Sequence, residues 1–157
     1  MKYSNTFVKG ILLIGSLGLF FSCVEPLPEL PPETQTGAGT FGCLVNNELV
    51  FTDRWQAGAN YVDSIDQLQI SAQCQFGQQF RFFINNPYKS KDMAIDTIRY
   101  LPPNASKWTK ATQTGSLHFS RIDNRIVSAT FSFDFNETGE TPIHVTKGRF
   151  DLNVYNY

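Results

Sequence analysis

The side chains best suited to nucleophilic or metal-binding chemistry within this 157-residue chain are two cysteines and two histidines: Cys43, Cys74, His118 and His144. Each histidine lies between apolar neighbours in an alternating stretch, so the alternation predicts that both face solvent. Neither has a carboxylate or thiol at a spacing typical of a zinc site, and neither cysteine has a base at a recognisable spacing. The sequence therefore predicts no metal site and no catalytic residue.

Serines and carboxylates give no stronger catalytic signal. The serines of the predicted strands alternate with hydrophobic residues, as exposed strand serines do, and no Gly-x-Ser-x-Gly elbow is present. Most aspartates fall in predicted turns, where a carboxylate is normally solvated. The remaining enzymatic alternative is a carboxylate pair as in a glycosidase, drawn from Asp53, Asp63, Asp66 and Asp134. We predict that the protein is not an enzyme and has no cofactor.

Three aromatic residues outside the clearest strand patterns are candidate ligand contacts: Trp55, Tyr61 and Trp108. Aromatic rings on loops at one end of a β domain can stack on sugars or dock a protein partner. The alternative is that these rings plug the ends of the hydrophobic core. The sequence leaves both interpretations open.

The first 22 residues have the composition of an export signal. Lys2 and Lys9 supply positive charge, and the apolar run Gly10–Phe21 follows. That run is shorter than the roughly 20 residues that a helix needs to cross a bilayer. A basic start, a short apolar segment and the small residue Ser22 together predict a signal peptide over residues 1–22.

The end of this signal resembles a bacterial lipobox, Phe20-Phe21-Ser22-Cys23, with Phe20 where Leu is usual. The resemblance implies cleavage before Cys23 and attachment of lipid to its thiol. Four prolines and three glutamates in Val24–Glu33 then favour an extended polyproline tether, and residues 34–40 continue it flexibly. We expect residues 23–40 to tether the protein to the cell envelope, either at the outer membrane or on the cell surface.

Export bears on the two cysteines that remain. Cys43 and Cys74 both lie in predicted strands, and an exported protein meets an oxidising environment. The sequence therefore favours a disulfide between them. The alternative is that they are two separate buried thiols, which pack as small hydrophobic groups.

Residues 41–157 have the alternation of a β domain. Gln67–Phe76 and Arg125–Phe135 alternate apolar and polar residues, which predicts strands with one face in a core. Asn46-Asn47 predicts a tight hairpin turn, and Lys147-Gly148 predicts a bulge in the last strand. We count about eight strands, which predicts an all-β, antiparallel β-sandwich. A small closed barrel, similar to a lipocalin, is the alternative.

Three stretches resemble a family of Bacteroidota lipoproteins of unknown function. They are residues 37–46, residues 125–133 and residues 145–151, with Ala129 where Gly is commoner. The resemblance covers most of the chain after the tether. It implies a β fold and a lipid anchor, and it implies no activity.

Charge excludes one large class of partner. The formal net charge is -1, and the chain has no basic stretch typical of a nucleic-acid binder. We expect a monomeric, lipid-anchored module of the cell envelope that binds a glycan or an envelope protein without catalysis. The alternative is a barrel-type carrier or enzyme with an interior pocket for a small apolar ligand.

Overall fold

The computed structural model describes residues 29–52, 55–89, 94–111, 115–136 and 141–156. The described residues form ten β-strands and two short 3₁₀ turns, and contain no α-helix. In chain order the strands are β1 (Thr40–Val45), β2 (Glu48–Phe51), β3 (Ala57–Val62), β4 (Gln67–Gln73), β5 (Gln79–Asn85), β6 (Ala94–Leu101), β7 (Thr109–Lys110), β8 (Gly115–Ile122), β9 (Ile126–Phe135) and β10 (Ile143–Asn156).

The predicted signal peptide and the predicted lipidation site, Cys23, lie outside the described residues. Within the described ranges, no helix has the length and apolar character needed to span a membrane.

Strand β10 connects all the others into one hydrogen-bonded array. Residues 143–153 pair antiparallel with β9 on one side, and residues 145–151 pair with β1 on the other. Residues 154–156 then pair in parallel with β3, on the same side of β10 as β1 and beyond the end of the β1 pairing. We call the strands β2-β1-β10-β9-β8 sheet A, and the strands β3-β4-β5-β6-β7, which continue from the end of β10, sheet B.

The two sheets face each other across a core of phenylalanines. The Phe41 ring in β1 lies 5.2 Å from the Phe80 ring in β5, and Phe82 lies 5.2 Å from Phe131 in β9. Because these contacts join sheet A to sheet B, the predicted sandwich is confirmed. Of the described strands, β2, β7 and β8 are open edges. The closed-barrel alternative is therefore wrong.

Local predictions from the alternation hold where the pattern is strong. Asn46 and Asn47 have φ angles of 49° and 69°, as a tight turn between β1 and β2 requires. The pairing of β9 with β10 shifts register between Val145 and Gly148, which is the predicted bulge. The residue with left-handed backbone there is Lys147, with a φ of 51°.

Two strands were not predicted. Strand β3 gives a weak sequence signal, because glycine, alanine and asparagine have low β propensity. Pairing with β4 on one side and β10 on the other overrides that propensity. Strand β7 has two residues and pairs only with β6 among the described strands, which is too short for a periodic signal.

The predicted disulfide is not found: Cys43 and Cys74 are free, buried thiols. Burial raises the pKa of Cys74 to about 12. Burial also raises the pKa of Cys43, and the nearby Cys74 raises it further. Both thiols are therefore protonated at neutral pH, and a protonated thiol does not start disulfide exchange. The prediction failed because alternation placed two core-facing residues correctly but says nothing about their bonding.

Candidate functional site

The three aromatic residues predicted as ligand contacts lie apart in the structure. Trp55 precedes β3 and Tyr61 lies near the end of the same strand, about 20 Å away along an extended chain. The Tyr61 hydroxyl donates a hydrogen bond of 2.8 Å to Asp66, which raises the pKa of Tyr61 to about 12. The Tyr61 ring packs edge-on against Tyr88, with 4.9 Å between centroids. Tyr61 is therefore engaged within its own end of sheet B.

Trp108 is also engaged, by a cation. It precedes β7 and is half-buried. The guanidinium carbon of Arg81 lies 4.7 Å from the centre of its ring, the distance of a cation–π contact. One face of Trp108 is therefore occupied by the protein itself.

Trp55, in contrast, is 89% exposed. Its φ of 75° lies in the left-handed region, which is unfavourable for a bulky side chain. Its ring lines a cleft of about 190 Å³, which we call the Trp55 cleft, together with Gly37, Ala38, Gly39 and Asn153. The cleft lies at the corner of the sandwich where the pairing partner of β10 changes from β1 to β3.

A second exposed ring lies at the same end of sheet B. Phe76, in the turn after β4, is 81% exposed and has a φ of 60°. The alternation had predicted that Phe76 faces the core, but the strand ends at Gln73. The Gln73 N–H donates a 2.8 Å hydrogen bond to the carbonyl of Gln56, the residue after Trp55. Trp55 and Phe76 therefore flank the end of β4, with the carboxamide residues Gln56 and Gln75 next to them in the chain.

The glycine loop of the Trp55 cleft is fixed by one carboxylate. Asp151 on β10 is 1% exposed. We call Asp151 and its donors the Asp151 latch. Three donors are hydroxyls: Ser128 Oγ and Thr34 Oγ1, each at 2.6 Å, and Thr36 Oγ1 at 3.3 Å. The other three are the N–H groups of Thr36, Gly37 and Ala38, at 2.9, 2.9 and 3.1 Å. Burial alone raises the pKa of Asp151, but the hydrogen bonds outweigh burial and hold this pKa well below its usual range.

Sequence reasoning missed this latch. The sequence predicts that residues 34–40 are flexible. In the structure, Thr34 and Ala38 each donate a hydrogen bond to Asp151 of β10. Alternation places Asp151 on the outer face of sheet A, since Phe150 and Leu152 are in the core. The hydrogen bonds from the N-terminal segment to Asp151 join residues 113 to 117 positions apart, and no local sequence pattern reports such a pairing.

Residues before the latch also pack on the outer face of sheet A. A Cβ atom on Gly42 would come within 2.5 Å of Pro31 Cδ, so the absence of a side chain at Gly42 lets Pro31 approach β1. Arg121 on β8 donates a 2.7 Å hydrogen bond to the carbonyl of Gln35. Residues 29–39 of the predicted tether are therefore held against the domain, and residue 40 already belongs to β1.

The histidines face solvent, as predicted. His144 Nδ1 lies 2.7 Å from Asp134 Oδ1 across the β9–β10 pairing, so this histidine has a carboxylate beside it that the sequence spacing did not reveal. His118 is exposed on β8. Within the described ranges, no three histidine, cysteine or carboxylate side chains come together as metal ligands. Asp53 of the glycosidase alternative lies outside those ranges.

The chain was also compared with known proteins. No family model matches it, and neither a curated protein nor a solved structure matches it. An assignment of function therefore depends on the geometry of the Trp55 cleft and its surroundings.

Proposed function

We propose that this protein is a lipid-anchored binding module of the cell envelope, and that it binds neutral glycans at the Trp55 cleft without catalysis. The observation that carries the proposal is the exposure of Trp55, at 89%, on left-handed backbone. Left-handed backbone at a non-glycine residue costs on the order of 1–3 kcal/mol. An exposed ring gives little packing in return, whereas a role in ligand binding accounts for both features.

The lining of the Trp55 cleft supports a neutral sugar. The flat face of an indole offers an apolar surface for the C–H groups of a sugar ring, and the Asn153 carboxamide and the backbone of Gly37–Gly39 offer polar groups beside it. None of the described residues that line the cleft is charged. Its volume of about 190 Å³ lies below the range of drug-sized pockets, which favours one ring of a chain.

The membrane anchor rests on the sequence. The predicted signal peptide and the lipobox resemblance place lipid on Cys23, and bacterial lipoproteins resemble the multi-chain anchors that bind membranes stably. Residues 24–28 separate Cys23 from Glu29, the first described residue. An extended chain over these six steps spans at most about 20 Å. The docked segment would therefore keep the domain close to the bilayer, and not at the end of an 18-residue tether.

The described core does not favour the alternative of an interior pocket for an apolar ligand. The described interior is filled by phenylalanine rings. The ring of Phe82, for example, contacts both Phe131 and Phe150 across the sandwich. The sheet is open at its edges and does not enclose a barrel. A carrier function would need space that these side chains occupy.

The glycan proposal is tested with the whole chain in a polyoxyethylene detergent, whose headgroup is not a sugar. The protein is screened against an array of neutral envelope glycans, and hits are titrated. We expect Trp55→Ala to weaken binding at least about ten-fold, or about 1.4 kcal/mol. The matched control is Tyr155→Ala, another exposed aromatic residue that does not line the cleft. Unchanged binding in Trp55→Ala, or no neutral glycan hit at all, would overturn the proposal.

The anchor is tested separately. We expect Cys23→Ser to move the protein from the detergent phase to the aqueous phase and to abolish incorporation of labelled fatty acid. Cys43→Ser is the control, since Cys43 is a buried core residue. Partitioning of Cys23→Ser like the native protein would contradict a lipid on this thiol.

A further inference from the structure

A polar groove crosses the outer face of sheet A, where β8, β9 and β10 lie side by side. Two cavities of about 130 and 560 Å³ adjoin there, and both are lined by Glu33, Thr130 and Arg149. We call this surface the Arg149 groove. Its other polar lining residues include Ser116, Ser120, Ser132 and Lys147. A hydroxyl row with two cations therefore lies on the face of the sandwich that bears the N-terminal segment.

Arg149 is incompletely satisfied. Its side chain is 22% exposed, and its Nε atom is buried without a hydrogen-bond partner among the described residues. Its Nη1 atom lies 3.6 Å from Oε1 of Glu33, which is longer than the roughly 2.7–2.9 Å of a charge-assisted hydrogen bond. A guanidinium offers donors in a planar fork that matches a carboxylate. Arg149 therefore has one unused donor at Nε and one long contact at Nη1, so Glu33 satisfies this guanidinium only in part.

The bulge in β10 supplies the second cation. Lys147 has a φ of 51° at the point where the register shifts between Val145 and Gly148. Bulges redirect side chains, and strained backbone concentrates at functional sites. Gly148 lets this bulge lie against β9, because a Cβ atom there would collide with the Phe131 ring. The bulge places Lys147 in the same groove as Arg149.

We propose that the Arg149 groove binds an acidic saccharide, with the carboxylate of a uronic acid at Arg149 and Lys147. The serine and threonine hydroxyls along the strands are donors and acceptors suited to the sugar hydroxyls. Glu33 occupies the anion position in the unliganded protein and is displaced by the ligand. This site is lined by residues other than those of the Trp55 cleft and takes a different charge class of ligand, so it goes beyond the proposed function.

The test uses the whole chain in the same polyoxyethylene detergent. Sodium glucuronate, glucose and sodium acetate are titrated into it separately, and calorimetry measures the binding. We expect saturable binding of glucuronate, no binding of glucose, and acetate binding at least ten-fold weaker than glucuronate. Arg149→Gln should weaken glucuronate binding at least about ten-fold, and Arg149→Lys should lie between, because lysine keeps the charge without the fork.

A variant that binds glucuronate more tightly is also needed, because misfolding could explain a loss of affinity but not a gain. Glu33→Gln should strengthen glucuronate binding about two- to five-fold, the range expected when an exposed ion pair no longer competes. Glu48→Gln, an exposed glutamate on β2, is the matched control and should leave binding unchanged. Trp55→Ala should also leave it unchanged, which separates this site from the Trp55 cleft. No saturable glucuronate binding, acetate binding equal to glucuronate, or no change in Glu33→Gln and Arg149→Gln would each overturn the proposal.

Discussion

Asp151 and Arg149 lie two positions apart on the same face of β10, but they differ in how fully their polar atoms are hydrogen-bonded. Asp151 is buried and accepts hydrogen bonds from β9 and from the N-terminal segment. Arg149 has a buried Nε without a partner among the described residues and one long contact to Glu33. A fully satisfied buried charge stabilises one arrangement of the chain, whereas the incompletely satisfied guanidinium of Arg149 is the feature from which the acidic-saccharide site is proposed. We therefore assign Asp151 to the fold and Arg149 to binding.

The largest expected effect is that of Asp151→Asn. The amide would direct its N–H₂ group at donors that now bond a carboxylate, so several buried donors would lose their acceptor. We expect a loss of about 3 kcal/mol in the free energy of unfolding, measured by urea denaturation. Arg149→Gln should cost less than about 1 kcal/mol, because little is bonded to that side chain.

Asp96→Asn is the matched control for Asp151→Asn. Asp96 is an exposed residue on β6, so the same chemical change should alter stability by less than about 0.5 kcal/mol. Equal stability losses for Asp151→Asn and Arg149→Gln would break the distinction between the two charges.

The pH dependence of stability tests the same carboxylate without mutation. Because the folded-state pKa of Asp151 lies below the unfolded value of about 3.9, its ionised form stabilises the folded state above about pH 4. That stabilisation is lost as pH falls from about 4 through the folded pKa. Hydrogen bonds from Arg121 and from the backbone lower the pKa of Asp123 to about 2, so Asp123 contributes in the same window.

The difference between native protein and Asp151→Asn isolates the latch. Asp123 contributes equally to both proteins, so the stability gap between them should narrow as pH falls from about 4 toward 2. Urea denaturation at several pH values measures this gap. A gap that stays constant over this range would contradict an ionised Asp151 as the centre of the latch.

A smaller effect is expected at Gly42, which tests whether residues before the latch are docked. Gly42→Ala places a methyl group against Pro31, and overpacking costs about 1–3 kcal/mol when the neighbour cannot move. Since the segment can lift, we expect a loss near the lower limit and faster cleavage after Glu33 by a glutamyl endopeptidase. Gly58→Ala is the control, because a Cβ atom there meets nothing within 4 Å. Equal cleavage rates would mean that the segment is not docked.

The sequence predicted the fold better than the sites, for a physical reason. Alternation reports which face of a strand is apolar, so it located most of the long strands, and paired asparagines located the hairpin turn. It does not report what covers the outer face. Asp151 reads as an exposed strand residue until Thr34 and Ala38 fold over it.

Long-range pairing explains the other differences. Strand β3 depends on parallel pairing with β10, whose residues lie about a hundred positions later in the chain. Phe76 continued a perfect alternation, yet the strand ends at Gln73 and Phe76 itself has a left-handed φ of 60°, which leaves its ring in solvent. Of the three predicted contact residues, only Trp55 has a ring that is both exposed and free of a described aromatic or cation–π contact.

The smallest expected effect is at Trp55, and its sign matters more than its size. Glycine removes a left-handed strain of about 1–2 kcal/mol and adds an entropy cost of about 0.5–1 kcal/mol, so Trp55→Gly should stabilise the fold by about 0.5 kcal/mol. Trp55→Ala keeps the strained backbone, so it should be less stable than Trp55→Gly by a similar amount. Both variants should lose glycan binding, since both lose the ring. Urea denaturation of the pair measures the strain. A loss above about 1 kcal/mol in Trp55→Ala would mean that the ring packs in the fold, and the strain at Trp55 would then be a structural requirement instead of a feature kept for binding.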